Sequence, residues 1–393
     1  MKTYDVAVIG SGIVGMTAAY ELSLRGQKVA LIDTGLAHGA STANSSTLLM
    51  VGEKNDMVFD LRRKGLEKYQ TMEERLGRDV GFYDLPMIGI MENESEKLLA
   101  KKEQEFYTSF GYDYRILDRE TLHETVPQLN MEGIVGGSCY AQWKIDPMQT
   151  VYAHFLKAKE HGMDHYFGSG ATDFRVEGSR IAAVKTAEGE VQAGQYILAA
   201  GAWSRALMAK LHIDLPVYYL HGSAMICERG KLDLPCAVSL FTSERAMLEA
   251  EAAALAKEYG WENIPRREAR EFGILPDSNG NLLIAQKSHA ESKIDRRLPV
   301  EYAHVMAEMM EKYFPGLCCG RVLRAWICPT PFPDDGNPYF GFVKAHPNLF
   351  CAAGLTSALL PGPAAGELMA KLLTGETCPY DLTPYDPMRG MKK

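Results

Sequence analysis

Gly10-Ser11-Gly12-Ile13-Val14-Gly15 decides the fold because of what stands on either side of it. Upstream, Tyr4 to Gly10 alternates and then runs apolar through Val6, Ala7, Val8 and Ile9, as a buried strand does. Downstream, Ile13 to Leu24 carries Val14, Ala18 and Leu22 at helical spacing, and Lys28 to Asp33 reads as a second strand. Glycines in the pattern GxGxxG between a strand and a helix let the chain turn tightly and bring a pyrophosphate against the helix N-terminus. Asp33, at the end of the second strand, is placed to accept a ribose hydroxyl pair. The stretch predicts dinucleotide binding and does not separate FAD from NAD.

The chain has 393 residues, and roughly 100 to 200 residues per domain makes two domains the first expectation. With 46% hydrophobic and 23% charged residues, it can bury a sizeable core, and disorder is not the default. Lys and Arg number 42 against 50 Asp and Glu, a net charge of −8 with no basic run, which argues against a nucleic-acid partner. Met1 and Lys2 lead almost directly into the first strand, leaving no secretory signal; the expectation is a cytoplasmic protein, at most peripheral to the inner face of the membrane. The uncharged run Leu349 to Gly366 is broken by Gly354, Pro361, Gly362 and Pro363, so it reads as a buried loop and helix start and not as a transmembrane segment. Eight cysteines without a CxxC pair, Cys318 and Cys319 being adjacent, predict reduced thiols; His161, His165, His289, His304 and His346 show no ligand spacing and no metal is implied.

Further helices are expected at Asp56 to Leu76, at Glu94 to Phe110 as a charged surface helix with Leu98, Leu99 and Phe106 as its apolar positions, and at Met148 to His161 behind an Asp146-Pro147 start. Short strands follow at Ile181 to Thr186, Glu190 to Ala193 and Tyr196 to Ala200. Val217 to Val238 and Leu282 to Gln286 read as strands of a different, antiparallel sheet, separated by an Ala-, Glu- and Leu-rich helix from Ser243 to Tyr259 that looks inserted. An apolar strand, Leu349 to Ala353, and a helix, Ala364 to Leu373, close the chain.

Several further segments together resemble the D-amino-acid-oxidase-like superfamily of FAD-dependent oxidoreductases. Gly39-Ala40-Ser41-Thr42-Ala43-Asn44, with Ser45 and Ser46 after it, is similar to the small-residue loop that wraps the flavin there. Ile145-Asp146-Pro147, then Ala171 and Thr172, then Ala199-Ala200-Gly201-Ala202-Trp203-Ser204 resemble its middle section, where a strand ends beside the cofactor. Trp326, Asp335-Gly336-Asn337-Pro338, Gly354-Leu355-Thr356 and Pro361-Gly362-Pro363-Ala364-Ala365-Gly366 resemble its flavin-closing section, and Asp381 to Tyr385 with Arg389 fits its tail. The resemblance covers nearly the whole chain. It is strongest to the branch of glycine oxidase, bacterial D-amino acid dehydrogenases, and the flavoprotein subunits of sarcosine and D-hydroxyproline dehydrogenases.

The resemblance implies FAD, held without a covalent bond since no cysteine stands at an obvious attachment motif. Its contacts would come from Gly10, Gly12, Ile13, Val14, Gly15, Asp33 and Thr34 in the first segment, and from Ser41, Thr42, Asn44, Ser45 and Ser46 in the loop. Ala171, Thr172, Ala200, Gly201 and Trp203 would follow from the middle section, and Gly354, Leu355, Thr356, Pro361 and Gly362 from the last. In many amino-acid-oxidising relatives the section after the tryptophan reads G-x-R-P, with the arginine on the substrate carboxylate. Here Thr330 stands at that place, so what grips the substrate is open. His221, Lys287, Tyr339 and Thr356 are the other substrate-site candidates.

The expected fold class is α/β with an α+β second domain: a Rossmann-like FAD-binding domain from residues 1–80, 145–215 and 345–393, interleaved with a mostly antiparallel substrate domain from 81–144 and 216–344, and a helical insertion near 243–271. The expected activity is oxidation of the C–N bond of a small amine or amino acid, whether a D-amino acid, glycine, sarcosine or a proline-like imino acid. Oxygen, a quinone or a partner flavoprotein would take the electrons, in a homo- or hetero-oligomer. Oxidation of a 2-hydroxy acid or polyol, or service as a flavoprotein subunit inside a larger dehydrogenase, are the alternatives.

Overall fold

The computed structural model describes residues 2–36, 41–45, 47–48, 56–242, 244–277, 279–316 and 320–389, with residue 47 described in its backbone only. Gly39, Ala40, Ser46, Ser243 and the Cys318–Cys319 pair lie outside the described residues. The chain forms two compact units: Met1–Phe82, Lys144–Tyr219 and Thr330–Lys393 make the first, and Tyr83–Trp143 and Leu220–Pro329 the second.

In the first unit the strand Thr3–Ile9 lies in parallel between Val29–Ile32 and Gly189–Leu198, with Ile9 level with Ile32 on one side and Leu198 on the other. Asp164–Tyr166 extends this parallel sheet beyond Val29–Ile32, and His346–Ala353 extends it beyond Gly189–Leu198. The two short strands expected at 190–193 and 196–200 are one continuous strand. Its first part pairs antiparallel with Arg180–Thr186, and its apolar second part enters the parallel core. The helix Ile13–Leu24 follows the first strand as expected and is buried on every side from Gly15 to Ser23, as a helix with neighbours all round must be. It packs against Pro147–Glu160 and against the C-terminal helix Gly362–Leu373. Gly366 makes the second contact close: a Cβ there would lie 2.2 Å from Thr17 Oγ1 and 2.6 Å from the Ala18 nitrogen. The third chain segment of this unit begins at Thr330, ahead of the expected residue 345.

The second unit is built on a sheet in the order Val322–Pro333, Val217–Glu228, Asn281–Glu291, Arg267–Pro276, Ala237–Leu240, Met87–Met91, Gly136–Tyr140, Tyr114–Leu117. Arg267–Pro276 runs antiparallel to both its neighbours, whereas Ala237–Leu240 pairs in parallel with Met87–Met91. Ile88, Ile90, Phe272, Ile274, Leu282 and Ile284 of this sheet form a core with Met306, Met310 and Tyr313 of the helix Val300–Tyr313. The expected strand 217–238 is interrupted after Glu228 and resumes at Ala237. The expected insertion is shorter than 243–271, since its helix spans Glu244–Tyr259 and the residues from Arg267 onward are an inner strand of the sheet. On the helix Glu94–Ser109, Leu98 and Leu99 are exposed, and Ala100 and Glu96 are buried. Glu96 is held there by a capping box: Asn93 accepts from its nitrogen and its own carboxylate accepts from Asn93 and Glu92 nitrogens. Among the described residues no helix is long and apolar enough to cross a membrane. Cys139, Cys227, Cys236 and Cys351 are buried free thiols.

Candidate functional site

At the mouth of the first helix, Gly10 has φ +107° and its nitrogen donates to Ile32 O at 2.9 Å, which turns the chain from strand to helix. A Cβ on Gly10 would sit 2.3 Å from Ala199 O, and one on Gly15 would sit 2.0 Å from Gly10 O. Both places therefore accept glycine only. Gly12 is the N-cap and brings no capping side chain, so the first-turn nitrogens keep their outward direction. Thr42 Oγ1 accepts from the Ile13 nitrogen at 3.1 Å, and a Cβ on Gly12 would approach that hydroxyl to 3.3 Å. Val14 is half-buried beside this mouth, on the first turn of the helix. A cradle of backbone N–H groups at a helix N-terminus, free of side-chain bulk, suits a diphosphate.

Asp33 is half-buried at the end of Val29–Ile32 and braces the cradle as well as facing outward. Its Oδ2 accepts from the Ser11 nitrogen at 2.6 Å and the Ser11 hydroxyl at 2.9 Å, and its Oδ1 accepts from the Thr34 nitrogen at 2.6 Å. The Thr34 hydroxyl donates to Oδ1 as well, at 3.1 Å, so the carboxylate's roughly four lone-pair directions are all engaged and a sugar hydroxyl would take the place of the exposed Thr34 hydroxyl. Ser41 opens a short turn, Thr42–Asn44, that ends at Ser45, and this turn is what delivers the Thr42 hydroxyl. Thr34 is exposed beside Asp33. Thr172, near Ala171, directs both its nitrogen and its hydroxyl to Lys185 O, into the strand beside it.

Two further segments border the mouth. Ala199 leaves the parallel core with its nitrogen on Ile9 O at 2.8 Å, and Gly201 follows at φ +54° in the turn that ends with Trp203. The Tyr219 hydroxyl donates to Ala202 O at 3.0 Å and fixes that turn. Pro361 and Gly362 open the C-terminal helix without a capping side chain, and Gly362 lies so close to the first helix that a Cβ would reach 2.9 Å from Ile13 Cγ2. The Thr17 hydroxyl is 2.7 Å from Ile13 O and 3.0 Å from Gly362 O, a tie between the two helix starts. Gly354, at φ +71°, begins the turn through Leu355 and the half-buried Thr356, and a Cβ on it would strike Pro333 at 2.5 Å. The donor set and the glycine clearances fit a dinucleotide.

A protein-family model described as FAD dependent oxidoreductase, DAO, matches residues 5–372. The chain belongs to this family. The glycine oxidase of Geobacillus kaustophilus is 24% identical over 399 residues, which cover 99% of this chain and 98% of that protein. The monomeric sarcosine oxidase of Streptomyces avermitilis is 24% identical over 403 residues, 98% of each chain. The crystal structure of the Geobacillus kaustophilus glycine oxidase superposes with a TM-score of 0.84 at 22% identity over 100% of both chains, a likeness of fold.

In this member of the FAD-dependent oxidoreductase family the substrate candidates are scattered in role. His221 is wholly buried and stacks on His289, with centroids 4.6 Å apart and planes 7° apart. His221 Nε2 accepts from the Asp295 nitrogen at 3.0 Å, so in the neutral ring the proton sits on Nδ1, which faces Glu291 Oε1 at 3.9 Å. His289 reaches Glu291 Oε1 at 3.0 Å and the Tyr302 hydroxyl at 2.9 Å. Burial, with the repulsion of His289, pushes His221 down to about 4, and burial, with the charge of Arg266, does the same to His289. His221, His289 and Glu291 carry ligand-type atoms within 4.8 Å of one another, but the nearly parallel stacked rings aim their lone pairs along separate planes and not at a common ion. Lys287 pairs with Glu268 at 3.0 Å and lies over the Tyr302 ring. The Tyr339 hydroxyl donates to Pro216 O at 3.3 Å, and the Arg389 guanidinium caps its ring at 3.9 Å. Thr330 is half-buried, on the same side of its strand as Cys328 and Trp326 by alternation.

Sequence reading missed Ser11, Thr17 and Gly366, whose roles exist only because distant segments meet at the helix mouth.

Proposed function

We propose that this flavoenzyme oxidises the C–N bond of a small amine or amino acid, giving an imine that water hydrolyses to a carbonyl product. The observation that carries the reading is the match of residues 5–372 to the family together with a glycine oxidase aligned over 99% of this chain and 98% of its own length, in a chain whose glycine cradle fits a dinucleotide. Gly12, Ile13 and Thr42 would hold the diphosphate, and Asp33 the ribose, with Ser11 keeping that carboxylate in place. The backbone of Ala200 and Gly201 would border the cofactor. Pro361 and Gly362 begin a helix whose dipole favours negative charge, the sign a reduced flavin carries. Bound FAD supplies the acceptor for the hydride that leaves the carbon bearing nitrogen. The remaining task of the protein is to bind the amine as its free base and exclude water from the imine.

Anaerobic addition of D-amino acids, glycine, sarcosine and proline, and separately of 2-hydroxy acids and polyols, to the FAD-loaded protein tests this. Bleaching near 450 nm by members of the nitrogen-containing set is expected (~450 nm being the flavin's own absorption band). Bleaching by hydroxy acids alone would overturn the proposal. Admitting air or a quinone to the bleached sample then separates an oxidase from a dehydrogenase.

A further inference from the structure

Within the second unit, the start of the helix Val300–Tyr313 meets a buried polar cluster that the proposed chemistry does not use. Lys287, His289 and Glu291 share one face of the strand Asn281–Glu291 by alternation, after the ladder with Arg267–Pro276 has shifted register between Arg270 and Gly273. His289 stacks on His221 of the neighbouring strand Val217–Glu228, and the two residues are 1% and 0% exposed. From the helix, the Tyr302 hydroxyl lies 2.9 Å from His289 Nδ1, accepts from Arg266 Nη2 at 2.9 Å and donates to Glu268 Oε1 at 3.2 Å. Residues 292–299 join this strand to this helix without helix or strand of their own until the helix begins. They run past His221, where the Asp295 nitrogen donates to Nε2 at 3.0 Å.

That bond carries a chemical condition. Imidazole accepts a hydrogen bond only through an unprotonated ring nitrogen, whereas imidazolium has two donors and no acceptor. A proton on Nε2 would set one N–H against another at 3.0 Å, and the Asp295 nitrogen could not stay. The surrounding groups offer little compensation. Glu291 Oε1 is 3.9 Å from His221 Nδ1 and is engaged at 3.0 Å by His289 Nε2. The Asp295 carboxylate is taken by the Arg297 nitrogen, Nε and Nη2. Arg266 and Lys287 both pair with Glu268, at 3.1 and 3.0 Å, and a charge on His289 would repel one on His221 at a ring separation of 4.6 Å. The outer strand Val322–Pro333 brings Arg324, whose guanidinium lies over the Trp326 ring, and Cys328; His304 of the helix is exposed and faces Glu308. The closed position of the segment therefore goes with a neutral His221, and release goes with proton uptake.

We propose that residues 292–299 form a proton-operated strap, latched to the sheet by the neutral ring of His221 and released when that ring takes up a proton. In the releasing step a solvent proton adds to the Nε2 lone pair, the hydrogen bond from the Asp295 nitrogen breaks, and the segment leaves with its Asp295–Arg297 pair intact. His289 is a positioning residue: its stacked ring fixes the plane of His221, and its own bond to Glu291 keeps that carboxylate from moving onto His221 Nδ1. The device lies wholly in the second unit and does not depend on the reading of the protein as a C–N oxidising enzyme.

The test uses the FAD-loaded full chain and hydrogen exchange read by mass spectrometry at about pH 7, 6 and 5, corrected for the intrinsic exchange rate. Burial, with the repulsion of His289, holds the latched His221 at about 4, and the ordinary 6.5 returns once the ring is solvated. Opening of peptides covering residues 292–299 is therefore expected to rise about 20-fold between about pH 7 and pH 5. The strand Thr3–Ile9 of the first unit is expected to stay protected throughout; loss of protection there in step with the segment would make the change global and overturn the proposal. His221→Gln puts an amide oxygen, which does not titrate in this range, at the place of Nε2, and is expected to keep the segment protected at about pH 7 and cut the rise to under about 2-fold. No rise in native protein, or an equal rise in His221→Gln, would overturn the strap. If His221→Gln does not fold, nitrogen NMR of the native protein decides: a neutral His221 ring protonated on Nδ1, titrating together with the Asp295 amide signal, is expected. The other tautomer, or titration of His221 with no change at Asp295, would overturn the assignment.

Discussion

At the scale of single residues, the cradle depends on atoms that are absent. Gly12→Glu would place a long anionic chain in the mouth where Thr42 already stands 3.3 Å from a bare Cβ, and complete loss of bound FAD is expected, checked by the flavin absorbance of the purified variant. Retention of full flavin would contradict the diphosphate assignment. The buried histidines set a pH dependence of a definite sign. His154, His221 and His289 lie near 4 in the fold because burial disfavours their charged forms, against 6.5 when unfolded. Above 6.5 neither state is protonated and stability is full. As pH falls from 6.5 towards 4 the unfolded chain takes up protons that the folded chain refuses, so stability declines across that window and levels off below it. For His154, apart from the stacked pair, the loss between about pH 7 and pH 5 is expected to be about 2 kcal/mol. Urea unfolding at both values, repeated on His154→Leu, should show the pH effect shrink by about that amount.

Helices in this protein report how far local signals carry. Asp146 accepts from the Met148 and Gln149 nitrogens, both at 2.9 Å, and Pro147 follows it, so the start of Pro147–Glu160 is written in neighbouring residues and was legible. Asp146→Ala is expected to cost about 1 kcal/mol in urea unfolding. The contact of the first helix with the C-terminal helix was not legible, because Thr17 and Gly362 are 345 residues apart and a glycine motif says nothing of its partner. Gly366→Val would force these helices apart where the native gap leaves 2.2 Å for a Cβ; a loss of about 3 kcal/mol or more and a lowered flavin content are expected. On the helix Glu94–Ser109, the apolar positions named from the sequence, Leu98 and Leu99, are exposed, as on a surface helix, and it is Glu96, held by the capping box, and Ala100 that are buried.

For the molecule as a whole, binding and stability are linked. FAD at about 100 times its Kd is expected to raise the unfolding free energy by about 2.7 kcal/mol, measured by urea titration, and this gain should vanish in Gly12→Glu. The segments that form the cofactor unit, Met1–Phe82, Lys144–Tyr219 and Thr330–Lys393, are each strand-and-helix stretches with strong local patterns, so their existence could be read from the chain. The sequence by itself determined the strand, glycine turn and helix around Gly10 to Gly15 and the acidic residue ending the second strand, because periodicity, capping and glycine stereochemistry act over a few neighbouring residues, while the family was legible only as a resemblance of motifs spread along the chain. Only the tertiary structure decided that Ser11 and Thr34 share Asp33, that 190–193 and 196–198 are one strand serving two pairings, and that His221 stacks on His289. Those outcomes depend on sheet order and on a register shift between distant strands, and such long-range contacts are fixed by the packing of the whole unit and leave no local pattern in the chain.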